Sequence, residues 1–197
     1  MEFNRTARKL FGEALAAHGF TAERSQHSTF YRQQSDDIYH VVAPDLGSRG
    51  AWFDVKVFAS SPKIDPLFIA RFPDGLGIPL DSYCYLNRHT GVGLEQQTFT
   101  CETEADLTHS FLTDVKPLLE QKAIPFLDHI TSVRELIPHI RSKMFLALGL
   151  NYLGESRARE IMKSELIRLR NLAQTNPKDR EIAIMVDHFE YALDLPR

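Results

Sequence analysis

The chain has 197 residues, 43% of them hydrophobic and 25% charged, with a formal net charge of −3. These values fit a globular chain that buries its own core and exclude an intrinsically disordered or collagen-like one. Residues 1–140 hold 13 Lys+Arg against 18 Asp+Glu and residues 141–197 hold 10 against 8, too mild an asymmetry for a nucleic-acid-binding arm or an acidic tail, though compatible with a front portion that prefers basic partners.

The first predicted element is a helix. Phe3, Ala7, Leu10, Phe11, Ala14, Leu15 and His18 recur at three- and four-residue steps and share one face, with Arg5, Arg8, Lys9 and Glu13 on the other. Asn4 can cap its first turn through its side chain. Gly19 and Phe20 form the stop, a left-handed residue followed by an apolar one that folds back onto the helix. The Phe/Leu stripe then needs a partner surface. Strands of alternating polarity supply it at Ser28 to Gln33, Ile38 to Ala43 and Ala51 to Phe58. In the last of these Phe53, Val55 and Val57 point one way, and Trp52, Asp54, Lys56 and Phe58 point the other. Polar turns at Gln34–Asp37 and Pro44–Gly50 imply an antiparallel meander with one face packed on the helix.

Ser60 to Pro79 is broken by Pro62, Pro66, Pro73, Gly75, Gly77 and Pro79 and reads as loop, with Leu67 to Ala70 a short buried strand inside it. Leu80 to Leu86 and Gln97 to Cys101 are further strands, separated by a turn at Thr90–Gly93. Helices follow Cys101. Thr103 or Asp106 caps one with Leu107, Phe111, Val115, Leu118 and Leu119 on a single face, and Pro117 is expected to kink or interrupt it. Ser132 and Glu135 have capping-box spacing. Lys143 to Leu153 ends near Gly154, Ser156 starts a second helix, and Asn176-Pro177 precedes a third with Ile182, Met185, Val186, Phe189 and Leu193 as its stripe. The expected fold is α+β. Residues 1–140 form an N-terminal helix on an antiparallel sheet of about five strands. Residues 141–197 form a helical extension, an αα-hairpin plus a final helix, packed on the first domain.

The chemistry is sparse. Cys84 and Cys101 make neither a disulfide framework nor a zinc site and read as thiols in a reducing cytosol. The N-terminus spreads its charges through an amphipathic helix, unlike a signal peptide, and the longest apolar run, Met144 to Leu153, is far short of the ~20 residues that span a bilayer. A cytoplasmic protein without membrane contact is expected. His129 and His139 lack metal-ligand spacing, so no metal or cofactor is expected. Asp81, Cys84 and His89 lie close in sequence, yet nothing places a nucleophile on a tight turn, so no enzyme is expected. Gly75-Leu76-Gly77 and Gly91-Val92-Gly93 lack the residues of a phosphate loop and read as turns. Arg157, Arg159, Lys163, Arg168 and Arg170 interleave with Glu155, Glu160 and Glu165, the pattern of a self-paired helix face rather than a nucleic-acid surface. Two alternatives stay open: a small-ligand or catalytic pocket at the Ser60–Pro79 loops, and nucleic-acid binding through the Arg157–Arg170 helix.

The sheet's reverse face is the candidate site. Tyr31, Tyr39, Tyr83 and Tyr85 join Trp52 and Phe58 there, and Asp36, Asp37 and Asp54 make it acidic. The candidate protein-binding residues are Tyr31, Asp36, Asp37, Tyr39, Trp52, Asp54 and Phe58. The competing reading is that the C-terminal helices cover this face. The helix ending in Gly19-Phe20, Thr29-Phe30-Tyr31-Arg32 and Trp52-Phe53-Asp54-Val55-Lys56-Val57 together resemble the bacterial family called domain of unknown function 4304, over residues 3–140. The resemblance implies an immunity-type or other accessory protein and carries over no catalytic residue. The expected function is a non-enzymatic protein-binding module, immunity or antitoxin-like, whose partner is another protein such as a toxin; a homodimer is compatible.

Overall fold

The computed structural model describes residues 3–22, 28–47, 50–61, 63–64 and 84–194. They form two compact units, the first holding the described residues up to 61 and from 84 to 132, the second residues 63–64 and 133–194.

In the first unit, α1 (Phe3–Ala16) buries Phe3, Ala7, Phe11 and Leu15, the stripe its periodicity predicts. It ends as a Schellman turn. Gly19 has φ 79°, its N–H donates to the Ala16 carbonyl at 3.0 Å, and the Phe20 N–H donates to Leu15 at 3.2 Å. The Phe20 ring is buried as a result.

A sheet of seven described strands follows: β1 (Thr21–Ala22), β2 (Phe30–Gln33), β3 (Tyr39–Leu46), β4 (Trp52–Ser60), β5 (Cys84–Asn87), β6 (Gly91–Gly93) and β7 (Phe99–Thr100). All pairings are antiparallel, in the order β1-β2-β3-β4-β5-β6, and β7 pairs with β4. The meander expected through β4 is present. The sheet exceeds the expected five because β1 and β6 are two and three residues long, too short for alternation to register. The strand expected at Leu67–Ala70 and the start of the one at Leu80–Leu86 lie outside the described residues. Pro44 sits within β3, past Val42, the last residue with a described β2 partner, so its missing N–H removes no bond from that ladder.

The register fixes the two faces. Phe30, Val42, Phe53, Val55, Val57, Leu86 and Phe99 share a core with the α1 stripe and with Leu107, Phe111, Val115, Leu119 and Leu127. Those last residues belong to α2, a helical run from Glu104 to Asp128. Thr103 caps it: its hydroxyl accepts from the Asp106 N–H and the Asp106 carboxylate accepts in return from the Thr103 N–H. Pro117 does not break this helix. Phe111–Val115 and Leu119–Ala123 are π-helical turns, each just N-terminal to a proline, Pro117 and Pro125. A proline ring clashes with the carbonyl four residues back, and a π turn widens the backbone there, so the axis continues.

In the second unit, α3 (Val133–Leu136) leads into a 3-10 turn at Ile137–His139, and then come α4 (Lys143–Tyr152), α5 (Arg157–Thr175) and α6 (Arg180–Asp194). Gly154 (φ 73°) closes α4 in a second Schellman turn, with the Glu155 N–H on Leu150 at 2.9 Å. Asp179 Oδ1 accepts from the N–H groups of Glu181 and Ile182 and starts α6. Helix α5 packs against both α4 and α6. Of the predicted α6 stripe, Phe189 is buried, Ile182, Val186 and Leu193 are half-buried, and Met185 is exposed.

Candidate functional site

The β3–β4 register places Tyr39, Val41, Ala43 and Asp45 opposite Ser60, Phe58, Lys56 and Asp54. Tyr31 sits opposite Val41, Tyr85 opposite Lys56, and Thr100 opposite Trp52. All of these lie on the reverse face, away from α1 and α2, because neighbouring residues of a ladder point the same way.

The candidate residues fall into two groups. Tyr31 and Tyr39 lie at one end, their ring centroids 6.4 Å apart with planes tilted by 54°. Tyr31 is 39% exposed and Tyr39 half-buried. Asp36, exposed, and Asp37, half-buried, occupy the adjoining β2–β3 turn. That turn is anchored. The Ser35 hydroxyl donates to the Thr131 carbonyl at 2.8 Å and accepts from the Asp37 N–H at 3.3 Å. The Gln34 N–H donates to Ile38 at 2.9 Å, and the Ile38 side chain is fully buried. The result is a tyrosine pair and two carboxylates on a hairpin held at both feet.

Trp52 lies eight residues along β4 from Ser60, the Tyr39 partner, about 27 Å at the rise of a strand. Its ring covers the backbone of Gly47, where a Cβ would overlap it, and the Gly47 N–H donates to the Trp52 carbonyl at 2.9 Å. This tryptophan closes the β3–β4 turn. Asp54 is only 4% exposed and Phe58 only 6%. Asp54 Oδ2 accepts from Gln96 Nε2 at 2.6 Å, while Oδ1 is buried with no hydrogen-bond partner among the described residues. Burial raises the Asp54 pKa above the usual carboxylate value, against the pull of the Gln96 bond and the Lys56 charge. Tyr85 is half-buried and Tyr83 lies outside the described residues. Alternation assigns a residue to a face; it says nothing of where along the strand that face is open.

Sequence reasoning missed a polar cluster on the helix-facing side. Arg32 Nε donates to His40 Nδ1 at 3.1 Å and Nη1 to the His18 carbonyl at 3.0 Å, and the guanidinium pairs with Asp128. The same guanidinium lies over the Phe20 ring at 4.8 Å. With Nδ1 accepting, the ring proton sits on Nε2, which donates to the Ile130 carbonyl at 2.7 Å. The cluster ties the C-terminal end of α1, the β2–β3 hairpin and the end of α2 together. Burial lowers the His40 pKa. The only sequence signal is that Arg32 and His40 face each other once the hairpin register is known.

Cys84 is half-buried on β5 and His89 is exposed in the following turn, while Asp81 lies outside the described residues. Burial pushes the Cys101 thiol up to about 11, away from a reactive thiolate. Among the described residues no three His, Cys, Asp or Glu side chains gather as metal ligands, and no helix is long and apolar enough to cross a membrane. The pocket expected at Ser60–Pro79 lies almost wholly outside the described residues. On α5, Arg159 donates to the Leu193 carbonyl at 2.6 Å, Arg168 pairs with Glu165 and Arg170 with Glu190.

A concavity lies on the other side of the sheet. Arg5, Thr6, Lys9 and Leu10 of α1 and Glu104, Thr108, His109 and Leu112 of α2 line an open groove of about 1010 Å³. Thr6 bridges the helices by donating to Glu104. No protein-family model, curated protein or solved structure matches the chain.

Proposed function

We propose that this protein is a non-enzymatic, cytoplasmic protein-binding module that engages its partner through the β2–β3 hairpin. The observation that carries this reading is the exposed Tyr31, packed against a half-buried Tyr39, beside Asp36 and Asp37 on an anchored turn. Tyrosine is enriched where proteins bind, because it brings a large rigid area and a polar tip at small entropic cost. Flanking carboxylates favour a basic partner surface and speed encounter with it. The resemblance of residues 3–140 to the domain-of-unknown-function 4304 family extends the proposal to an immunity-type or antitoxin-like role.

Pairing of Arg159, Arg168 and Arg170 within the second unit leaves Arg157 and Lys163 as the cations of α5 without such a bond among the described residues. With two arginines paired to carboxylates and a third bonded to a backbone carbonyl, fewer cations are left for phosphates.

Quantitative capture from the source organism tests the proposal. The full chain and its Tyr31→Ser/Tyr39→Ser double variant are used as baits side by side. A protein retained by the first and lost on the second is the expected result. Identical captures, or a partner lost only in a Trp52 variant, remove the hairpin as the site.

A further inference from the structure

We infer that the groove between α1 and α2 is a second docking site, and that its occupant is an acidic amphipathic helix of a partner protein. The groove is separate from the hairpin, since α1 and α2 cover the opposite face of the sheet. Three observations set the occupant.

The first is shape. The furrow of about 1010 Å³ between the outer surfaces of two neighbouring helices is open along its length, unlike the enclosed pockets that bury most of a small ligand's surface. A third helix laid along such a furrow is a recurrent peptide-recognition mode.

The second is the apolar floor. Leu107, Phe111, Val115 and Leu119 of α2 are all buried, yet Leu112 is 54% exposed and lines the groove. It stands on the π turn Phe111–Val115, whose register departs from that of the α-helix on either side. Leu10 of α1 lies half-buried in the same floor. The pair forms an apolar seat that leucines at helical spacing on a partner would fill.

The third is charge. Arg5 and Lys9 from α1 and His109 from α2 line the groove. The side chains of Lys9 and His109 make no hydrogen bond or ion pair among the described residues. Glu104, the carboxylate in the lining, accepts from Thr6 and stands at the α2 side of the groove. The seat is therefore apolar in the middle, with the two cations Arg5 and Lys9 against the single carboxylate Glu104 around it, in a chain whose net charge is negative. Glu or Asp flanking a leucine stripe complements it, whereas Lys or Arg is repelled.

Selection from a displayed library of amphipathic helical peptides, with the full chain as bait, tests this. Acidic peptides with leucines at three- and four-residue steps should be enriched. Leu112→Asp and Lys9→Glu should each weaken the best peptide by about tenfold or more, while Tyr31→Ser/Tyr39→Ser should leave it unchanged. Both groove substitutions are at exposed positions, so thermal melting should match the parent. A library that yields no binder, enrichment of basic or uncharged peptides, or acidic binders indifferent to Leu112 and Lys9 would overturn the assignment. Loss of binding in the tyrosine variant would move the peptide to the hairpin and overturn it equally.

Discussion

Phe11 is fully buried, and its ring lies 6.1 Å from Phe30, 6.5 Å from Phe53 and 4.8 Å from Phe111. One side chain thus links α1, two strands and α2. Removing it leaves a cavity that rings fixed to three other elements cannot collapse to fill, so Phe11→Ala should cost ~3–5 kcal/mol. Lys9→Ala, two positions earlier on the exposed face, should stay within ~0.5 kcal/mol. Urea midpoints of the two variants check the contrast. His40 makes a pH prediction. Burial lowers its folded pKa from the ordinary 6.5, and His139 and His188 shift the same way for the same reason. Just below pH 6.5 the unfolded chain therefore takes up protons that the folded chain refuses, and stability falls as pH drops through that point. The urea midpoint should be lower at pH 5.5 than at pH 7.5; an equal or higher midpoint would contradict neutral buried imidazoles. Asp54 and Glu165 titrate from lower ordinary values, 3.8 and 4.5. Burial pushes Glu165 up, and bonds from Lys143 and Arg168 more than reverse this.

At the scale of elements, one substitution has opposite expected signs at two glycines. Gly12 is inside α1, where a Cβ would meet the Phe30 ring at 3.6 Å, an ordinary contact. Gly12→Ala should stabilise by about 0.5–1 kcal/mol through the lower entropy of the unfolded chain. A Cβ on Gly47 would enter the Trp52 ring, so Gly47→Ala should open the β3–β4 turn and lower the melting temperature. Differential scanning calorimetry reads both, and a shared sign would refute one of the packing assignments. The elements differ in how plainly the sequence announces them. The α1 stripe with its Gly19-Phe20 stop, and the alternation in β3 and β4, follow from local spacing alone. The π turns do not, because a widened turn has no residue signature beyond the proline after it. The bond between Arg32 and Asp128 joins residues 96 apart in sequence, and no local pattern announces it.

For the whole molecule, the α+β layering was legible because each layer declares its period. The candidate site was legible only in part. Polarity alternation put Tyr31, Tyr39, Trp52, Asp54 and Phe58 on one face, as the register has them. It could not tell that Asp54 and Phe58 are buried there, or that Trp52 is occupied with its own turn. Of these five Tyr31 is the exposed one, and the proposed function rests on the hairpin end that carries it. Site-specific photo-crosslinking in cells of the source organism tests this most directly. A benzophenone amino acid replaces Tyr31 in one variant and Leu94, 63% exposed, in another. The account predicts a discrete adduct with a second protein from position 31 and none from position 94. No adduct at position 31, or the same adducts from both positions, would contradict it.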